Sequence, residues 1–164
     1  MEKVIIFGIG DISQIAYLYL SENKNYEIVA FTIDKEYIKE DTFLGLPVVA
    51  FENLEEKFSQ NEYKLFIPLS YTKINKLREQ KFLEAKEKGY NLISYIHPKA
   101  NVASNVKIGE NCFIFEDNTI QPFVTIEDNC ILWSGNHIGH HSTIKLNCFI
   151  ASHVVISGGC EIGE

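Results

Sequence analysis

The chain has 164 residues, enough for one domain or two small ones, and an apolar content of 46% that is ordinary for a globular protein. Its formal charge of −7 argues against nucleic acid and anionic membrane surfaces as partners, because both recruit basic surfaces. No apolar run approaches the ~20 residues of a membrane span, and Met1-Glu2-Lys3 leads into a strand pattern rather than a signal peptide, so a cytoplasmic location is expected.

Lys3 to Phe7 predicts a buried strand, Gly8-Ile9-Gly10 a tight turn, and Asp11 to Leu20 a helix with Ile12, Ile15, Ala16 and Tyr19 facing inward. Glu27 to Ile33 predicts a second strand that ends at Asp34. A loop with Gly45 and Pro47 comes next, then a short strand at Val48 to Ala50, a short helix at Asn53 to Phe58 and a strand at Lys64 to Leu69. Thr72 is placed to cap a helix running to Lys88, with Ile74, Leu77, Phe82 and Ala85 inward and Gly89 as its stop. Asn91 to Tyr95 predicts a last strand, and Pro98 in His97-Pro98 is the expected joint to the second half of the chain. Strands alternating with helices imply a small parallel sheet of the doubly wound type over residues 1–94.

Gly8-x-Gly10-x-x-Ser13 stands where a dinucleotide fingerprint would stand, after the first strand and opening a helix. Glycines there let backbone approach phosphate or ribose, and a helix start favours anions. Ser13 replaces the third glycine of that pattern. Asp34, closing the second strand, is placed to bond a ribose hydroxyl. A tight turn and a surface acid account for the same residues without any ligand, and spacing alone leaves both readings open. Residues 1–94 are about half a full dinucleotide fold, which argues against a hydride-transferring NAD enzyme.

From Ile96 to Ile162 every sixth residue is a branched aliphatic: Ile96, Val102, Ile108, Ile114, Ile120, Ile126, Leu132, Ile138, Ile144, Ile150, Ile156 and Ile162. A six-residue period fits neither a helix nor a plain alternating strand. It predicts a hexapeptide β-helix, each rung giving one short strand and one turn, over residues 95–164. Asn111, Asn129 and Asn147 recur every eighteen residues, one coil of three rungs, and are expected to ladder along a corner. Cys112, Cys130 and Cys148 have the same spacing and are expected to be stacked, buried thiols, with no Cys-x-x-Cys pair to hold a metal. Trp133 and Phe115 point outward on this pattern and suit subunit packing.

Four of the five histidines fall within seventeen residues, at His137, His140, His141 and His153. His140 and His141 lie in the turn after the inward Ile138 and point outward. A neutral, reachable imidazole suits a general base.

The repeat, with the αβ segment and the His97-Pro98 step before it, resembles the left-handed β-helix acyltransferases over the whole chain, the NeuD/PglD-like sugar acyltransferases in particular. The resemblance implies a Rossmann-like nucleotide-sugar-binding domain (1–94) followed by a left-handed β-helix acyltransferase domain (95–164). It implies acetyl-CoA as co-substrate, a nucleotide-linked amino sugar as acceptor, no metal, and a homotrimer whose grooves hold the coenzyme between adjacent subunits. In such proteins the nucleotide lies at positions matching Gly8, Gly10 and Asp34, and Ser70 shares that edge. His140 matches the family's general base. An acid or amide usually comes after it, where this chain has His141, so His141 or His137 is left to orient His140. Rungs beyond that turn hold much of the coenzyme, which makes Ser157 and Gly158 candidates for cofactor contact. Members usually continue for several more rungs, so the stop at Gly163-Glu164 in mid-rung implies either a truncated repeat or an incomplete coenzyme site. N-acetylation is the expected reaction. The alternatives are O-acetylation of a sugar or sialic acid, a γ-type zinc carbonic anhydrase, which shares the β-helix, and a non-catalytic module that holds a nucleotide sugar.

Overall fold

The computed structural model describes residues 1–163. The chain divides into two compact units, one of Met1–Ser70 with Gln80–Ile93, the other of Tyr71–Glu79 with the chain from Ser94 onward.

The first unit is built on β1 (Glu2–Phe7), α1 (Asp11–Glu22), β2 (Tyr26–Ile33), β3 (Thr42–Phe43), β4 (Leu46–Ala50) and β5 (Tyr63–Phe66). The strands form one sheet in the order β3-β4-β2-β1-β5. Every pairing is parallel except the short β3 against β4. Val4, Ile5 and Ile6 are fully buried in the central β1, as expected of a strand covered on both faces. The chain steps outward from β1 to β2 and β4, then returns to the other side of β1 as β5. That reversal creates a switch point at the carboxyl ends of β1 and β5, where open α/β sheets leave a crevice. The α1 helix turns Ser13, Ala16 and Leu20 to the interior, with Ile12 and Ile15 only half-buried.

Three predicted elements differ. The Asn53–Phe58 helix is a single 3₁₀ turn at Leu54–Glu56. The last strand shrinks to one bridge, Leu92 with Leu65, because Tyr95 pairs into the repeat instead. Thr72 caps nothing: α2 starts later, at Lys76–Glu87, after Lys73, Ile74 and Asn75 in the left-handed region with φ of 53°, 54° and 63°. Ile74 is consequently 88% exposed, while Asn75, Arg78, Lys81, Phe82 and Ala85 are buried.

The second unit bears out the six-residue period. Its strands are two residues each and pair in parallel eighteen residues apart, as Phe113–Ile114 with Ile131–Leu132 or Thr119–Ile120 with His137–Ile138. They build three four-stranded sheets. The aliphatic stops from Ile114 to Ile144 point inward and are at most 1% exposed. The first stop, Ile96, is 39% exposed although it pairs with Ile114, since it stands on the outermost coil. Phe115 is buried in the single chain at 2% exposure, stacking with Phe113 and Trp133, so it is not available to a second subunit.

One corner of the coils is sealed by polar groups. Asn111 donates to Asn129 at 2.8 Å and Asn129 to Asn147 at 2.9 Å, with φ of 52°, 63° and 61°. The Asn111 and Asn129 carbonyls accept from the buried Arg78 guanidinium, and the Asn147 carbonyl accepts from Asn75. Burial lowers the Arg78 pKa to about 10, which leaves it charged at neutral pH. The four cysteines are free thiols. Cys112, Cys130 and Cys148 donate weakly to the carbonyls of Glu127, Lys145 and Gly163. The neighbouring thiols and burial push Cys130 up, so it stays protonated.

Candidate functional site

At the carboxyl edge of the sheet, Gly8 has φ of +105° and donates its N–H to the Thr32 carbonyl at 2.8 Å. A Cβ there would stand 2.6 Å from Ser13 Oγ, so both backbone and space require glycine. Ser13 takes over the close helix–strand packing of the missing third glycine: it is buried and donates to the Phe7 carbonyl at 3.4 Å. Gly10 caps α1 without a side-chain hydrogen bond and has open space where a Cβ would be. Leu69, next to Ser70, lies 3.6 Å from the Cβ position of Gly8. The topology therefore gathers Gly8, Gly10, Asp34 and Ser70 at the ends of β1, β2 and β5.

Asp34 has a partner that spacing did not reveal. Lys81 Nζ donates to Asp34 Oδ1 at 2.7 Å and to Glu84 Oε2 at 2.8 Å, and lies over the rings of Phe51 and Phe7. Burial disfavours the ammonium, but the bonds to Asp34 and Glu84 outweigh it and hold Lys81 above its ordinary value. Burial likewise works against the Glu84 carboxylate, and Lys81 and Gln80 outweigh it, keeping Glu84 below the usual range. These groups line an open cleft of about 650 Å³ with Glu36, Phe51, Glu52 and Lys88.

The histidines lie on the β-helix. His140 and His141 are both exposed, and their Nδ1 atoms are 3.0 Å apart. That distance is a hydrogen bond in which one Nδ1 carries the proton and the other accepts it. The His140 N–H donates to Gln121 Oε1 at 2.9 Å and the His141 N–H to the Pro122 carbonyl at 3.2 Å, so the preceding coil fixes the turn. His141 has φ of 61° and stacks on Phe123. The His140 ring rests over Gly158: a Cβ on Gly158 would stand 2.7 Å from Nε2. Ser157 and Gly158 are exposed, and the Ser157 carbonyl accepts from Ser142 Oγ at 3.0 Å.

The other two histidines are elsewhere. His137 sits on a flat sheet, paired with Thr119 and Val155. His153 packs against Gly135 at another corner. Thus His140 partners His141. Among the described residues no group of three His, Cys, Asp or Glu is arranged to hold a metal ion. A separate cavity of about 720 Å³, lined by Tyr71, Ile74, Phe149 and Ile162, contains none of the histidines. No described helix is long and apolar enough to cross a membrane.

No protein-family model matches the chain, and no curated protein matches it. Solved structures do. PerB from Caulobacter crescentus, in complex with CoA and GDP-perosamine, is 23% identical with a TM-score of 0.76, over 91% of this chain and 68% of that one. The acetyltransferase domain of PglB from Neisseria gonorrhoeae is 17% identical with a TM-score of 0.56, over 100% of this chain and 94% of that one. WeeI from Acinetobacter baumannii is 12% identical with a TM-score of 0.59, over 99% and 97%. At these identities the likeness establishes a shared fold.

Proposed function

We propose that this protein is an acetyl-CoA-dependent N-acetyltransferase whose acceptor is the amino group of a nucleotide-linked sugar. The observation that carries the reading is the exposed His140–His141 hydrogen bond on a corner of the repeat. The fold it shares with PerB, crystallised with CoA and GDP-perosamine, supports the choice of substrates. The β-helix is taken as left-handed and the first unit as Rossmann-like, and the protein works in the cytoplasm.

With the proton of the pair on His140 Nδ1 and donated to His141, His140 Nε2 holds a free lone pair. The sugar amine adds to the thioester carbonyl and forms the C–N bond. Nε2 takes the proton that the nitrogen sheds, and the Nδ1 hydrogen bond stabilises the imidazolium. The intermediate collapses with cleavage of the C–S bond, and the proton passes to the departing sulfur, giving the amide and free CoA. His141 supplies the orienting acceptor. Backbone amides are assigned to the oxyanion. Ser157 and Gly158, beside His140, are assigned to the coenzyme. The nucleotide is assigned to the switch-point edge, with phosphates against Gly8 and Gly10, Ser70 nearby, and a ribose hydroxyl on the Asp34 oxygen that Lys81 leaves. Assembly as a trimer is part of the proposal. Val155, 75% exposed on the strand beside His137, supports a subunit contact on that sheet.

The test is His140→Ala. Removing a general base lowers turnover by about 10²–10⁴, with affinity for both substrates kept. The defect should be larger for a hydroxyl acceptor than for an amine, which needs less help once deprotonated. Near-parental turnover in His140→Ala would remove His140 as the general base.

A further inference from the structure

We infer that Phe123 is a positioning residue for the histidine pair: its ring holds His141 in the plane that lets Nδ1 face His140. The inference rests on the reading of His140 as general base and deepens it. Phe123, His141 and Gly159 occupy equivalent places on successive coils, with φ of 65°, 61° and 71°. Other such places carry Asn111, Asp117, Asn129, Gly135, Asn147 and His153, residue types that visit a left-handed backbone more readily than phenylalanine. A phenyl side chain gains nothing from that conformation. Nor does Phe123 serve the core, being 60% exposed. What it touches is His141, with ring centroids 4.7 Å apart and planes within 25°. Its own N–H donates to Asn105 Oδ1 at 3.1 Å, so the coil before it fixes this turn.

The two contacts on His141 divide the task. Stacking on Phe123 sets the plane of the imidazole, and the bond to His140 selects the edge that faces His140, with the two imidazoles nearly perpendicular at 88°. An exposed imidazole without a stacking partner tilts freely. A neutral acceptor also lacks the charge that would draw the His140 N–H toward an anion. Directional hold therefore has to come from the ring beneath it.

The test compares Phe123→Leu with Phe123→Tyr in the full chain. Leucine keeps apolar bulk and loses the flat face, whereas tyrosine keeps it. Phe123→Leu should lower kcat about 2- to 12-fold, the range a ring pair converts to, with KM for both substrates unchanged and Phe123→Tyr near the parent. Nitrogen-15 imidazole spectra give a readout independent of turnover. The parent should show His140 protonated at Nδ1 and His141 at Nε2, and Phe123→Leu should average the His141 tautomers. Parental His141 signals in Phe123→Leu would overturn the inference. The spectra decide it even where His140→Ala proves active, a result that would remove only the base assignment.

Discussion

Gly158→Ala should lower turnover by up to about 10² while leaving the fold intact. Gly158 does not have the positive φ that penalises a side chain, so alanine fits its backbone. The obstacle is the His140 ring. The added Cβ would stand 2.7 Å from Nε2 and 2.8 Å from Cε1, against 3.4 Å for ordinary contact, so the ring must retreat by about 0.7 Å. It can do so cheaply, being an exposed side chain, and unfolding should shift by no more than about 0.5 kcal/mol. The site has no such slack. The Nδ1–Nδ1 separation of 3.0 Å would open toward the limit of a hydrogen bond, and Nε2 would leave the position from which it takes the proton. A misplacement near 1 Å costs up to about 10² in rate. Gly159→Ala is the opposite control. Nothing lies within 4 Å of its Cβ, but φ of +71° makes alanine strained, by roughly 1–2 kcal/mol. It should lose stability and keep its turnover per folded molecule. The assay is steady-state kinetics with both substrates varied, alongside thermal unfolding. Parental turnover in Gly158→Ala, where His140→Ala is inactive, would refute the placement of the ring against Gly158.

Two further outcomes are expected. Asp34→Asn should weaken nucleotide-sugar binding by about 1.5–3 kcal/mol, the worth of a charge-assisted hydrogen bond, and spare acetyl-CoA. Calorimetric affinities equal to the parent would remove Asp34 from the nucleotide site, leaving its pairing with Lys81 as a structural ion pair. Arg78→Ala should destabilise the repeat by about 3 kcal/mol or more, since it strips buried carbonyls of Asn111 and Asn129 of charged donors; denaturant unfolding within 1 kcal/mol of the parent would contradict that role.

The six-residue period was enough to place the inward aliphatics, the asparagine ladder and the stacked thiols, because every coil repeats one local steric demand. The glycine turn after β1 was legible for a similar reason: a positive φ and a close helix–strand approach are written into adjacent residues. Helix α2 shows where local pattern stops. Ile74 reads as an inward apolar residue and is exposed, while Arg78 and Asn75, outside the inward set that the pattern gives, are buried. Their burial depends on carbonyls of the asparagine corner 33 to 72 residues away, acceptors that no helical periodicity encodes. Asp34 is a similar case, since its ion pair with Lys81 spans 47 residues. Sequence brought His140 and His141 into one turn but left His137 as an equal partner. The choice fell to the tertiary structure, because a strand residue faces its neighbours across the sheet, whereas two successive residues at a left-handed corner can turn their rings toward each other.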